Sequence, residues 1–249
     1  MATDVFRSAA RDGRLLFNGW AMLGAIHAID AFGQAGWDVV TLDMQHGAIG
    51  HGAMVACLTA ARAARLPALV RVAENASGLI GAALDGGAQG VICPMVNDAG
   101  DAEQLIQSVK YPPRGQRSWG PYGAKALIEG DYFAAANGWT VACAQIETDE
   151  ALGNIDGILA TPDLDMVLAG PNDLAIALTG APDIRAPAVA NALDLILNKA
   201  KEADVMSAVF ANDLEFARPL SQAGWTMLTV GTDGGLLTAA AAGVLEQLK

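Results

Sequence analysis

Residues able to carry out acid–base chemistry stand at the end of one short apolar run in this chain. The run VVTLD ends at Asp43, and His46 follows three residues later. A carboxylate beside an imidazole can hold one tautomer of the ring and raise its basicity, as a general base requires. The spacing leaves a second interpretation open, in which Asp43 caps the next turn and His46 is an ordinary loop residue.

A second group of polar residues is of the type that holds a metal ion. Glu147 ends the run VACAQIE, with Gln145 two residues earlier on the same face of the strand, and Asp173 follows MVLAGPN. Two carboxylates at adjacent strand ends supply hard oxygen ligands to Mg²⁺ or Mn²⁺ and leave positions for water and substrate. In the structural alternative, Asp173 is a helix N-cap and Glu147 makes a capping contact near Thr148.

The positions of the basic residues further limit the possible reaction mechanisms. Arg71 ends the run ALVR, whose other residues are expected to be buried in a parallel sheet. A buried guanidinium needs an anionic partner, which is either the substrate or a neighbouring carboxylate. No lysine lies in a predicted strand or at its end, and a Schiff-base mechanism needs a lysine amine at the reacting carbonyl. A metal ion is therefore the expected electron sink.

These residues can form one site only in a fold that brings the ends of several strands close together. Eight short apolar runs alternate with Ala-rich helical stretches, which predicts an α/β fold, a (β/α)8 TIM barrel, in a single domain over residues 1–249. In this fold the catalytic groups lie at the C-terminal ends of the strands. The predicted strands are 15–21, 39–44, 68–72, 90–95, 141–147, 166–170, 207–210 and 227–231, and the clearest helices are 52–65, 98–110, 187–203 and 212–223.

Two segments do not follow this alternation of strands and helices. The stretch 111–137 contains YPPRGQRSWGPYG, where Pro and Gly disfavour regular structure, so we expect a long loop over the mouth of the barrel. The segment GTDGG, residues 231–235, follows the eighth run. It is either a phosphate cradle of backbone N–H groups or a helix start with Thr232 or Asp233 as N-cap.

Composition excludes several classes of protein. The 15 Lys and Arg against 27 Asp and Glu give a net charge of −12, which repels nucleic acid and anionic membranes. The uncharged run 15–29 is shorter than the roughly 20 apolar residues of a membrane helix, and the N-terminal sequence lacks the features of a secretory signal. We expect a cytoplasmic protein with small-molecule partners and three buried, inert thiols at Cys57, Cys93 and Cys143.

Six separated motifs together resemble one known family. They are LDMQHG, the strand ending in Arg71, VICPMVN, YPPRGQRSWG, AQIETDEAL and LAGPNDLA. In this order they resemble the HpcH/HpaI family of class II 2-keto acid aldolases, from about Trp20 to the final helix. The resemblance implies a barrel that assembles as a homo-hexamer, a trimer of dimers, with the last helix exchanged between subunits.

The resemblance also implies roles for individual residues. A divalent ion, Mg²⁺, Mn²⁺ or Co²⁺, would be held by Glu147 and Asp173 and chelated by the carboxylate and keto oxygens of the substrate. His46, oriented by Asp43, would move a proton of the acceptor hydroxyl or of a metal-bound water, and Arg71 would stabilise the enolate oxygen. The substrate carboxylate would also meet backbone N–H groups near Pro171 and Asn172. The substrate-binding residues expected are Gln145, Gly170, Pro171, Asn172 and Phe210.

Two positions depart from the family pattern. Many members have an acidic residue immediately before the histidine, where this chain has Gln45, so metal affinity, hydration of the site or the pH optimum is expected to differ. Phe210 is bulkier than a small aliphatic residue and is expected either to narrow the donor or acceptor pocket or simply to pack in the core.

The expected reaction is reversible cleavage of a 4-hydroxy-2-keto acid to pyruvate or hydroxypyruvate plus an aldehyde. A citrate-lyase-type enzyme acting on a CoA thioester is an alternative. The phosphates of CoA would need a basic rim, whereas only Arg114, Arg117 and Lys125 cluster in the long loop. A keto-acid-binding barrel that has lost turnover is a second alternative.

Overall fold

Eight parallel strands form a closed barrel in the computed structural model, which describes residues 4–249. Consecutive strands pair with one another, and β8 pairs with β1 to close the sheet. All eight predicted runs are strands, with ends that differ by at most two residues from the prediction. The strands are β1 (Leu16–Ala21), β2 (Val39–Asp43), β3 (Ala68–Arg71), β4 (Gly90–Cys93), β5 (Val141–Ile146), β6 (Met166–Ala169), β7 (Met206–Ala211) and β8 (Met227–Val230).

Helices follow the strands and cover the outside of the barrel. The four helices expected most clearly correspond to α3, α5, α10 and α11, the last of which starts after the N-cap Asp213. The helices of the described chain are α1 (Val5–Asp12), α2 (Ile26–Gln34), α3 (His51–Ala63), α4 (Ser77–Gly86), α5 (Ala99–Val109), α6 (Tyr132–Trp139), α7 (Asp149–Gly153), α8 (Ile155–Leu159), α9 (Pro171–Thr179), α10 (Pro187–Glu202), α11 (Leu214–Leu220) and α12 (Asp233–Leu248).

Alternation along the strands decides which side chains enter the barrel. Successive side chains of a strand point to opposite faces, so every second residue faces the barrel interior. The interior packs as one apolar cluster, and α1 covers its N-terminal end with the buried side chains Phe6 and Ala9. Between Leu16 and Trp20 of this cluster, Asn18 donates to Thr229 at 2.7 Å and accepts from Thr41 at 3.0 Å, so the polar groups of these three side chains are satisfied inside the barrel.

The prediction that the stretch 111–137 covers the barrel mouth is wrong. This segment follows α5 and leads into β5, so it lies at the N-terminal end of the strands. Arg117 bonds Asp85 at 2.7 Å, and the backbone N–H of Gly123 bonds the Asp85 carbonyl near the end of α4. The segment is also more regular than expected, because it contains a 3-10 turn at Ala124–Leu127 and the start of α6.

Two of the expectations concern the three thiols and the helices of the chain. All three cysteines are buried and unpaired, as expected. Burial raises the pKa of Cys93 to about 12, which keeps this thiol protonated. Among residues 4–249, no helix has the length and apolar character needed to cross a membrane.

Candidate active site

The centre of the site is an ion pair between neighbouring strands. Asp43 and Arg71 end β2 and β3 and lie beside each other in the sheet register. Arg71 donates from Nε to Asp43 Oδ1 at 2.9 Å and from Nη2 to Oδ2 at 2.6 Å. Asp43 is fully buried, and Arg71 is 8% exposed. The neighbouring carboxylate, one of the two partners that the sequence left open for Arg71, is therefore the observed one.

The expected contact between the Asp43 carboxylate and the His46 ring is absent from the described hydrogen bonds. Asp43 accepts instead from the backbone N–H groups of Gln45 at 3.0 Å and His46 at 3.2 Å. The Trp20 indole N–H adds a bond of 3.1 Å to the same carboxylate. With its oxygens occupied by these donors and Arg71, Asp43 positions the loop that carries His46 rather than the imidazole itself. The structure therefore corrects the expectation that the Asp43 carboxylate sets the tautomer of the His46 ring.

The surroundings keep Asp43 ionised. Burial acts to raise the pKa of its carboxyl, but the hydrogen bonds and positive charge of Arg71 outweigh that effect. The N–H groups of His46 and Trp20 act in the same direction as Arg71, so the pKa lies below its usual value. Because Asp43 is ionised, Arg71 keeps a counter-charge while its remaining N–H groups stay available to a ligand.

Glu147 lies at the other side of the site, directly after β5, and is 3% exposed. Its Oε1 accepts from the backbone N–H of Met95 at 2.8 Å, and its Oε2 accepts from the Gln145 side-chain amide. The carboxylate is held at two points, which confirms that Gln145 and Glu147 share a face of the strand. Met95 adopts a φ of 55°, uncommon for a residue other than Gly, and sequence reasoning did not identify its amide.

Glu147 has no arginine or lysine paired with it in the described ion pairs. Burial raises the pKa of its carboxyl, and the negative charge of Asp173 acts in the same direction. The hydrogen bonds from Met95 and Gln145 and the charge of Arg71 only partly oppose this. A bound cation would supply the missing counter-charge.

Asp173 lies in the exposed first turn of α9, where a carboxylate also suits the helix dipole. The N-cap of this helix is Gly170, so the alternative role of Asp173 as N-cap is wrong. At Gly170 an added Cβ would lie 3.1 Å from the Glu147 Cβ and 3.2 Å from the Gln145 Nε2. This glycine lets the start of α9, and with it Asp173, come close to Glu147.

The expected N–H groups around Pro171 need one refinement. Pro171 has no backbone N–H, and the Gly170 N–H already bonds the Ile146 carbonyl at 3.1 Å. The first-turn amides of a helix have no acceptor within it, which leaves those of Asn172 and Asp173 for an anionic group. Pro171 at the first helical position suits this helix start because its φ is already helical.

The site is a cavity of about 950 Å³ at the C-terminal end of the strands, and Glu147 is not among its lining residues. Its inner wall is aromatic. Trp20 and Phe210 pack edge to face with centroids 5.3 Å apart, and the Arg71 Cζ lies 4.9 Å from the Trp20 ring centroid. Site residues expected from the sequence that line this cavity are Asp43, His46, Arg71, Gln145, Gly170, Pro171, Asn172, Asp173 and Phe210.

Trp20 and Asn212 are among the lining residues that sequence reasoning missed. Trp20 lies on the inward face of β1, as its spacing from Leu16 and Asn18 could have indicated. Asn212, just after β7, exchanges two amide hydrogen bonds with Asn172, of 3.1 Å and 2.7 Å. These amides pair because β7 and α9 lie close together. A local sequence pattern does not predict that proximity.

The GTDGG segment is a helix start. Thr232 is the N-cap of α12, with its side chain accepting from the Gly235 N–H at 3.1 Å. Asp233 accepts from the Met22 and Leu23 N–H groups at 2.9 Å and 3.1 Å. These contacts join α12 to the end of β1, and they support the capping interpretation over the phosphate cradle.

The donor set fits a hard divalent cation. Glu147 is a buried carboxylate without a basic partner, Asp173 is close enough to affect it, and the buried Oε1 of Gln145 has no hydrogen-bond partner. Within residues 4–249, no group of three or more His, Cys, Asp or Glu converges as a metal site. Further ligands would therefore be water and substrate oxygens, which is usual for Mg²⁺.

Comparison with known proteins identifies the family. Residues 20–240 match the model for HpcH/HpaI aldolase/citrate lyase. The chain belongs to this family. A hydroxypyruvate/pyruvate aldolase of Rhizorhabdus wittichii is 36% identical over 246 residues, 98% of each chain. A 5-keto-4-deoxy-D-glucarate aldolase of Shigella boydii is 30% identical over 247 residues, 98% of this chain and 96% of that one. These aldolase relatives support carbon–carbon lyase activity in this HpcH/HpaI chain.

Two solved structures confirm the barrel. A HpcH/HpaI aldolase/citrate lyase family protein from Burkholderia cenocepacia has a TM-score of 0.92 at 30% identity, with 99% of each chain covered. The citrate lyase beta subunit of M. tuberculosis, in complex with oxaloacetate and magnesium, has a TM-score of 0.58 at 16% identity, covering 88% of this chain and 92% of that one. The second likeness is evidence for the fold alone.

Proposed function

We propose that the chain is a divalent-metal-dependent aldolase that reversibly cleaves a 4-hydroxy-2-keto acid to pyruvate or hydroxypyruvate and an aldehyde. The observation that carries this proposal is that Asp173, Arg71 and His46 line one cavity at the C-terminal end of the barrel, while the buried Glu147 carboxylate lies close enough to Asp173 for their charges to interact. The relatives named as aldolases agree with it.

Glu147 and Asp173 would hold the ion, with Gln145 fixing the Glu147 carboxylate. A divalent cation, when bound, supplies positive charge against the negative charge that develops on the keto oxygen. The first-turn N–H groups of Asn172 and Asp173 bind the substrate carboxylate, and the cation overcomes the repulsion expected from the net charge of −12.

Cleavage breaks the C3–C4 bond of the keto acid. The C4 hydroxyl proton passes to His46, whose ring lines the cavity, and the bonding electron pair passes to the three-carbon fragment. The N–H groups of Arg71 that are not used by Asp43 stabilise the enolate oxygen of that fragment. Protonation of the fragment at C3 then gives pyruvate or hydroxypyruvate.

The CoA-thioester alternative has less support because the expected basic rim lies elsewhere. Arg114 pairs with Asp163, Arg117 pairs with Asp85, and Lys125 lies over the Trp119 ring. None of these three cations lines the active-site cavity. The phosphate groups of a CoA ligand bound in that cavity would therefore not contact Arg114, Arg117 or Lys125.

The proposal requires metal dependence without a covalent lysine adduct. A chelator should abolish aldol cleavage, and Mg²⁺, Mn²⁺ or Co²⁺ should restore it, with the His46→Asn variant inactive under the same conditions. Borohydride added with pyruvate should leave the protein mass unchanged. A pyruvyl adduct on any lysine, or full activity in chelator, would overturn the metal mechanism. Proton exchange into pyruvate that is lost in His46→Asn would exclude a binding barrel without turnover.

We also propose the hexameric assembly with an exchanged last helix. The apolar side chains Leu237, Val244, Leu245 and Leu248 on α12 are 55–79% exposed, and only Asp233 is buried in that helix. A neighbouring subunit that covers these side chains would remove a continuous apolar surface from water. Light scattering should give a hexamer mass for the parent and a smaller mass for Leu237→Glu/Leu245→Glu, while Glu246→Gln should remain hexameric. A monomeric parent would contradict this assembly.

A further inference from the structure

A second cleft lies at the N-terminal end of the barrel, opposite the active site. It has a volume of about 570 Å³ and shares no lining residue with the active-site cavity. The cleft is bounded by α1, by the C-terminal half of α3, by the 3-10 turn and by residues that precede several strands. The lining residues that matter for its chemistry are Arg14, Arg62, Arg65, Gln89, Leu127 and Trp139.

Two buried hydrogen-bond donors in this cleft lack an acceptor. The Gln89 Nε2 and the Trp139 Nε1 have no hydrogen-bond partner, and the two residues are 4% and 7% exposed. A buried donor without a partner destabilises the fold. Gln89 precedes β4 and Trp139 ends α6, so the two residues line the cleft from separate elements. An acceptor group bound in the cleft is the candidate partner for both donors.

Three arginines surround the same cleft in a chain whose net charge is −12. Arg14 pairs with Asp38 at 2.9 Å. Arg62 and Arg65 extend from the end of α3, and no ion pair is described for either within residues 4–249. The end of α3 also favours positive charge through the helix dipole, but the dipole does not explain the unsatisfied N–H groups of Gln89 and Trp139.

The backbone conformation of Arg65 is a further feature of this cleft. Arg65 follows α3 with a φ of 57°, in the left-handed region that Gly and Asn enter at lower cost. For an L residue the left-handed conformation is less favourable than the right-handed one, because Cβ lies close to the following carbonyl oxygen. Arg65 adopts this conformation and lines the same cleft as Arg62.

The remaining walls of the cleft are apolar. Leu58, Leu66 and Leu127 contribute aliphatic surface, and Trp139 adds an aromatic ring. Such a site takes a ligand with a compact apolar body and a negatively charged acceptor group, because burial favours the first and charge-assisted hydrogen bonds favour the second. We infer that this cleft is a binding site for a small organic carboxylate, held by Arg62, Arg65, Gln89 and Trp139, and separate from the catalytic centre.

Benzoate is the probe for this site, with benzamide as its uncharged control of nearly the same shape. The five tryptophans can be labelled with 5-fluorotryptophan and assigned by single substitutions. Benzoate should move the ¹⁹F resonance of Trp139 in a saturable manner, and benzamide should bind at least about tenfold more weakly, since it lacks the charge.

Variants separate ligand binding from folding. Arg62→Gln/Arg65→Asn removes both exposed guanidinium groups while Asn tolerates the left-handed backbone, so the Tm should be unchanged and benzoate affinity should fall at least about tenfold. Arg218→Gln removes one positive charge from exposed α11, outside the cleft, and should bind benzoate as the parent does. An unmoved Trp139 resonance, equal binding of benzamide, or unchanged affinity in the double variant would overturn the inference. These results do not depend on the proposed aldolase activity.

Discussion

Arg71 and Asp43 are joined by two hydrogen bonds, of 2.9 Å and 2.6 Å, across neighbouring strands at the C-terminal end of the barrel. The same carboxylate accepts the N–H groups that begin the His46 loop. Asp43 thus links the group proposed to stabilise the enolate oxygen to the segment that carries the proposed general base. The pair fixes the position of both groups relative to the cavity before substrate binds.

Substitution of Asp43 by Asn should destabilise the protein because Arg71 would become a buried charge without a counter-charge. We expect a loss of about 3 kcal/mol in the free energy of unfolding, measured by urea denaturation. The control is Asp156→Asn, which removes a carboxylate paired with Lys199 at the surface, and should cost under about 1 kcal/mol. Equal losses in the two variants would show that the buried pair contributes no more than the exposed one.

The stability difference between the parent and Asp43→Asn should depend on pH in a defined direction. The pKa of Asp43 is lowered in the folded protein, so the charged carboxylate stabilises the fold above the unfolded value of about 3.9. This contribution is lost as the pH falls through the lower, folded pKa. The difference should stay constant from neutral pH to about pH 4 and then shrink, as measured by denaturation at each pH. A difference that widens in acid would contradict the assignment.

Removal of either proposed metal ligand should weaken metal binding. In Glu147→Gln and Asp173→Asn, a neutral amide replaces an anionic oxygen donor, and we expect the Kd for Mn²⁺ to rise at least about 100-fold in calorimetry or by electron paramagnetic resonance. Asp213→Asn is the matched control, since Asp213 lines the cavity but pairs with Arg185 at 3.0 Å. Parent-like Mn²⁺ binding in both ligand variants would place the metal elsewhere.

Shortening Phe210 should widen the donor end of the pocket. Phe210 packs against Trp20 beside Arg71, and one methylene group in an apolar pocket corresponds to about 1–3 kcal/mol of discrimination. We expect Phe210→Ala to raise the ratio of kcat/KM for 2-oxobutyrate over pyruvate about tenfold. Phe133→Ala, which alters an exposed aromatic residue outside the cavity, should leave the ratio unchanged. An unchanged ratio in both would mean that Phe210 serves only core packing.

The barrel and the polar residues proposed to act in the site were predictable from local patterns. Apolar runs with every second residue facing inward determine the strands, and polar residues at the ends of these runs determine the lining of the C-terminal face. Asp43, Arg71, Glu147 and Asp173 were found in this way. The position of the stretch 111–137 was predicted wrongly because its composition indicates a loop but carries no information about which end of the barrel it joins.

The sequence by itself determined the barrel, the family and the residue types of the site. Only the tertiary structure decided the partners: Asp43 pairs with Arg71 rather than with the His46 ring, the Met95 amide holds Glu147, and Asn212 meets Asn172. The physical reason is that burial and alternation are local properties of a strand, which its own residues report. Hydrogen-bond partners depend on strand register and on the approach of separate loops, and these are set only when the closed sheet brings distant segments together.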